Sequence, residues 1–193
     1  MSKNVKRAII ISIIIIVIII AIISTFFIIK YFADKKQIDN VCEIYSDNNV
    51  QERLDTSTNN DNLKLQIDGE TVIGVIKIDK IGFEGLIYEG TTLTTLDKGV
   101  GHFENSSYLN GNVCLAAHNS SKYWAKLYTL ENGDKITYTS FLGTKEYKVN
   151  SITQISATDW SKLEKSNENI LTLITCVRKN PSQRLCVQAL EDK

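Results

Sequence analysis

Hydrophobic and polar positions divide the chain into three zones. From Ala8 to Ile29 the residues are almost wholly Ile, Val, Phe and Ala, broken only by Ser12, Ser24 and Thr25, and none is charged. At about 1.5 Å rise per residue such a run reaches about 33 Å, enough to cross a hydrocarbon core of about 30 Å. A secretory signal has a shorter apolar region and a small-residue cleavage site, whereas this run continues into Lys30-Tyr31-Phe32. The pattern predicts a retained transmembrane anchor over 8–29 behind a short head, 1–7. From Lys30 to Asp68 the chain turns to Asp, Asn, Lys, Gln, Ser and Thr. Phe32, Ile38, Val41, Ile44 and Tyr45 are spaced for an amphipathic helix, and Asp55 to Asn62 reads as linker, so 30–68 is expected to be a partly helical stalk.

Beyond Gly69 the periodicity becomes that of strands. Thr71 to Ile81 alternates over Ile76, Lys77, Ile78 and Asp79, as a half-buried strand does, and Phe83 to Tyr88 can pair with it. Thr91 to Lys98 reads as a loop or brief helix, followed by a Gly99-Val100-Gly101-His102 loop. Asn112 to Ala117, Gly133 to Thr139, Lys145 to Ile152, Asn169 to Cys176 and Arg184 to Leu190 follow as strands. Trp124 to Leu130 and Asp159 to Leu163 read as short helical stretches. Seven or eight short strands with turn signals between them predict an all-β barrel or sandwich over 69–193.

Charge and cysteine count narrow the function classes. Lys and Arg number 22 and Asp and Glu number 22, so no electrostatic footprint favours nucleic acid. Lys3, Lys6 and Arg7 precede the apolar span and Lys30, Lys35 and Lys36 follow it, a near balance; the small head and large C-terminal body favour N-in, C-out. Cys42, Cys114, Cys176 and Cys186 all lie beyond the span, and an even count in an exported domain leaves disulfides open. No pair has C-x-x-C spacing and only two histidines exist, which argues against structural zinc.

The candidate chemistry sits at strand ends. Cys114 and Cys186 lie within apolar runs, where free cysteine is a common core residue. Cys176 instead ends its run and precedes the polar stretch Val177 to Gln183. With Arg178, Lys179 and Arg184 nearby it has the electropositive setting in which a thiolate forms, although an inert surface thiol fits the same local pattern. His118 follows Leu115-Ala116-Ala117 at another strand-to-loop step, and small Ala116 and Ala117 permit close approach of a ligand. His102 is the weaker candidate for an imidazole role. Arg184 could meet a carbonyl or a developing oxyanion.

Taken together these residues resemble the sortases of Gram-positive cell surfaces. The resemblance runs from about Gly69 to Leu190. It is carried by Ile73-Gly74-Val75-Ile76-Lys77-Ile78, Gly99-Val100-Gly101-His102, Gly111 to His118, Leu127 to Asp134, Leu171-Thr172-Leu173-Ile174-Thr175-Cys176 and Arg184 to Ala189. It implies an eight-stranded sortase-like β-barrel with short helices behind a transmembrane helix. Cys176 would be the nucleophile, His118 the proton-transferring partner and Arg184 the group that positions substrate and stabilises the oxyanion. Thr175 and Ala117, beside the thiol and the imidazole, would line the substrate site.

The implied partners are exported proteins bearing an LPxTG-like sorting signal and an amine acceptor of the cell wall or a pilin. No cofactor or metal is required, and Glu84, Glu89 and Glu104, the acidic residues available for a calcium-tuned loop, read as solvated surface. Three departures bear on class. Ala116-Ala117-His118 stands where many members have Ala-Gly-His, no second hydrophobic span follows Leu190, and no Asp-Pro-aromatic lid motif precedes the barrel, since the one proline is Pro181. These point to a class D-like or housekeeping-like enzyme. A papain-like peptidase would place Cys before His, and an L,D-transpeptidase would place a histidine close to its Cys. The non-enzymatic alternative is a membrane-tethered β-barrel that binds a partner, its thiol incidental.

Overall fold

The computed structural model describes residues 3–46 and 63–193. The predicted linker over Asp55 to Asn62 lies outside them. Two compact units are present, Met1–Asn40 and Val41–Lys193.

The first unit is helical. It belongs to α1 (Lys3–Ser46), one uninterrupted helix in which the predicted anchor and the start of the stalk are continuous. Residues from Ile9 through Phe32 are solvent-exposed along the whole apolar run, and by length and composition α1 can cross a membrane. A run of Ile on every face has no polar side to present to water, so its full exposure is that of a segment suited to lipid.

The second unit is a closed barrel built from β1 (Leu65–Ile67), β2 (Glu70–Ile78), β3 (Phe83–Glu89), β4 (Val100–His102), β5 (Asn112–Ala116), β6 (Lys135–Ser140), β7 (Gly143–Ser156), β8 (Ile170–Val177) and β9 (Asn180–Glu191), with a short helix α2 (Leu93–Lys98). The strand order is β1-β2-β3-β4-β5-β8-β9-β7-β6, and β6 returns to pair with β2. Eight strands therefore close the barrel. The ninth, β1, uses the edge of β2 over Glu70–Val72, while β6 occupies the same edge over Gly74–Lys77. The strand β1 lies just before Gly69. Gly74 sits where the edge changes partner: a Cβ there would lie 2.2 Å from the Thr139 carbonyl oxygen, so the seam closes only on glycine.

Val72, Ile73, Val75, Ile76, Ile78, Leu115, Leu127, Tyr138, Leu171, Leu173 and Val187 are among the buried core residues. Two departures from the sequence pattern have packing causes. β2 is buried on both faces rather than alternately, and the last turn of α1 contributes to that cover. Val41 and Tyr45 are buried, and the Tyr45 hydroxyl donates to the Val72 carbonyl (2.8 Å) and accepts from the Leu65 N–H (3.0 Å). The segment read as a Gly99 to His102 loop is a strand: β4 runs parallel to β3 and antiparallel to β5, and all three of its residues are buried. Its Gly101 admits the Gly90 carbonyl, which a Cβ would meet at 2.5 Å. Glycine hid the strand from a propensity reading because the backbone contact, not a side chain, is what places it there.

Candidate active site

Three strand ends define one corner of the barrel. β8 lies between β5, its parallel neighbour, and β9, its antiparallel neighbour. Side chains alternate across a strand, so Leu171, Leu173 and Thr175 enter the core while Thr172, Ile174 and Cys176 face outward. Ala116 is opposite Ile174 and Cys176 is opposite Arg184. His118 follows two residues after Ala116, beyond the last pair of β5. An imidazole two residues past β5, a thiol near the end of β8 and a guanidinium opposite that thiol on β9 thus fall on three adjacent strands in that order.

Local bonds hold these ends together. The Ala117 N–H donates to the Ile174 carbonyl (3.2 Å), the Thr175 hydroxyl donates to the Ala117 carbonyl (2.7 Å), and the Asn119 side-chain amide donates to the Cys176 carbonyl (2.6 Å). Thr175 and Ala117, read from the sequence as substrate-lining residues, are 2% and 4% exposed and bonded to each other. Their placement is that of a brace between the histidine strand and the cysteine strand, because strand alternation turns Thr175 inward while its neighbour Cys176 turns out. Asn119 adds a second tie that adjacency to His118 alone could have suggested.

His118 is half-buried, with Nε2 3.1 Å from the Asp97 carboxylate and its ring 6.2 Å from that of Tyr123. Arg184 is half-buried as well, and its Nη1 donates to the Pro181 and Gln183 carbonyls, both at 2.9 Å. The stretch expected as a polar loop from Val177 to Gln183 is mostly strand. Val177 pairs with Asn180 across Arg178-Lys179, and Lys179 takes a positive φ of 63°. Pairing then shifts so that Cys176 meets Arg184, with Pro181, Ser182 and Gln183 as extra residues of β9. The bulge brings Arg184 opposite the thiol.

All four cysteines are free thiols. Burial separates them: Cys176 is exposed, whereas Cys114 and Cys186 are fully buried, and loss of solvation pushes their thiols up to about 12 and about 11. His102 is fully buried and faces the Glu89 carboxylate through Nδ1 (2.8 Å) and Ser106 and Ser107 through Nε2, stacked on Tyr108. Burial pushes the Glu89 carboxyl up. Hydrogen bonds from His102 and Tyr108 and the charges of His102 and Lys64 outweigh it and hold the group below the usual carboxylate range. That network fixes the β4–β5 connection and makes His102 a structural residue. Among the described residues no group of three or more His, Cys, Asp or Glu is placed to hold a metal ion.

A family model for the sortase domain matches residues 76–192. The chain belongs to the sortase family of cysteine transpeptidases. It is 29% identical to Sortase A of Bacillus anthracis over 170 residues, which is 81% of each chain. It is 32% identical to Sortase D of Bacillus subtilis (strain 168) over 106 residues, 53% of each. Among solved structures, Sortase A from Corynebacterium diphtheriae superposes with a TM-score of 0.60 at 28% identity, covering 64% of this chain and 62% of that one. Against these two, the chain spans between half and two thirds of the relative's length.

In this sortase the β4–β5 and β7–β8 connections meet through Phe103 and Trp160. Asn112 pins one of them: its amide donates to the Lys162 and Glu164 carbonyls (3.0 and 2.9 Å) and its oxygen accepts from Thr172. Between the connections lies a cleft of about 400 Å³ lined by Phe103, Glu104, Trp160, Leu163 and Glu164. Phe103 and Trp160 meet edge to face at 6.4 Å, yet Trp160 stays 62% exposed. An exposed tryptophan on a pinned connection is available to a ligand. Its sequence signal was a bulky aromatic within the polar run Thr158-Asp159-Trp160-Ser161.

Proposed function

We propose that this chain is a membrane-anchored sortase that cleaves an LPxTG-like sorting signal through an acyl-thioester on Cys176 and transfers the acyl group to an amine of the cell wall or a pilin. The order His118, Cys176, Arg184 across the adjacent strands β5, β8 and β9, with Arg184 opposite Cys176, carries the reading. The sorting peptide presents its scissile carbonyl to Cys176. The thiolate attacks that carbonyl, and Arg184 meets the oxyanion with Nε and Nη2, since Nη1 is engaged by its own hairpin. His118 protonates the departing amine and leaves the thioester. An incoming amine then attacks with His118 as base, and splitting one amide exchange into two steps is what a covalent intermediate offers.

The apolar helix α1 anchors the chain N-in, C-out, with the barrel outside the cell where exported substrates emerge. The relatives found include proteins named Sortase A and Sortase D, in keeping with a housekeeping-like or class D-like enzyme. Cleavage and transfer of sorting peptides by Cys176→Ala tests the reading. Loss of both is expected, and full retention would leave the partner-binding barrel with an incidental thiol as the better description.

A further inference from the structure

His118 lies beyond the end of β5, so strand hydrogen bonds do not orient its ring. Its orientation comes from α2 instead. That helix is fixed at both ends: Thr92 caps it by accepting from the Thr95 N–H, and the Gly99 N–H returns to the Thr95 carbonyl. Asp97, on its last turn, sets a carboxylate oxygen 3.1 Å from His118 Nε2. A carboxylate only accepts, so the shared proton belongs on Nε2 and the exchangeable lone pair of the neutral ring on Nδ1. Asp97 is held in turn. The Tyr123 hydroxyl donates to the Asp97 backbone carbonyl at 2.6 Å, and the Trp124 N–H closes the segment back on the His118 carbonyl at 3.1 Å.

We propose that Asp97 is a positioning residue of this sortase, fixing the ring and tautomer of His118 so that Nδ1 is the nitrogen that moves the proton, with Tyr123 clamping Asp97 from behind. The proposal rests on His118 being the proton-transfer group. Loss of the orienting aspartate costs about 10⁴ in kcat in the buried Ser-His-Asp triad. The Asp97 carboxylate is 75% exposed, and water screens it and replaces part of its role, so the expected loss is far smaller, about tenfold.

The test uses the full-length protein in detergent, a fluorescence-quenched LPxTG peptide and hydroxylamine as acceptor. Asp97→Ala should lower kcat about tenfold while KM stays within about twofold and the melting temperature is unchanged; Asp97→Glu should recover most of the loss, and Tyr123→Phe should show a smaller loss in kcat alone. Side-chain ¹⁵N spectra read the same contact without turnover. With two histidines in the chain, the Nε2–H signal of His118 should weaken through faster exchange in Asp97→Ala while that of His102 holds. Wild-type kcat and an unmoved His118 signal in Asp97→Ala, with Cys176→Ala and His118→Ala inactive, overturn the positioning role alone. A loss appearing in KM or melting temperature instead overturns it too. Full transfer by His118→Ala overturns the catalytic reading beneath it.

Discussion

Thr175→Val separates two roles for a residue one position from the thiol. Valine keeps the shape of threonine and removes only the hydroxyl, which is buried and donates to the Ala117 carbonyl at 2.7 Å. A lost neutral hydrogen bond is worth about 1 kcal/mol, and a buried acceptor left without its donor raises the cost to about 1–3 kcal/mol. With an unfolding entropy of about 2.1 cal/mol/K per residue for a body of this size, that corresponds to a fall in melting temperature of roughly 4–11 °C. The brace joins the end of the histidine strand to the end of the cysteine strand, so its loss should also loosen their alignment and lower kcat with little change in KM. Thermal melts and steady-state kinetics on the same detergent-solubilised protein read both. Thr175→Ser, which keeps the hydroxyl, should hold kcat. An unchanged melting temperature with a raised KM would refute the brace and restore Thr175 as a substrate contact.

Alkylation should sort the cysteines by burial. At pH 8 iodoacetamide is expected to label Cys176 in the folded protein and to reach Cys114 and Cys186, held up near 12 and 11, only after unfolding, as read by peptide mass spectrometry. The buried network around His102 predicts a pH dependence. Glu89 has a folded pKa below its unfolded value, so its stabilisation is fully present above about 4.5 and is lost as pH falls through the folded pKa. Glu89→Gln should therefore lower the melting temperature clearly at pH 7, and the gap from wild type should shrink as pH falls below 4.5.

Much of this was legible in the sequence, for identifiable reasons. The strands from β5 onward carry apolar alternation and Gly-rich turns, and their predicted positions agree with the structure to within a few residues. The one thiol at the end of a run pointed to the corner where β8 meets its neighbours. What the pattern did not carry was contact information. β4 is a strand because Gly101 lets another backbone approach, and the polar stretch after Cys176 is mostly strand because Val177 pairs with Asn180 and Gln183 with Ser156 of β7. Thr175 and Cys176 are adjacent in sequence, and only the pleat reveals that one faces the core and the other the solvent. Asp97 gave no signal, since a single acid in a short helix acquires meaning only from the imidazole it touches.

Intact-mass spectrometry of the full-length protein incubated with a panel of LPxTG-like peptides bears on the covalent step itself. A mass increase equal to the N-terminal fragment of one peptide less one water, mapped to Cys176, removed by hydroxylamine and missing in Cys176→Ala, is the predicted result. No adduct with any peptide, or an adduct that persists in Cys176→Ala, would contradict a thiolate acyl-transfer site at the end of β8.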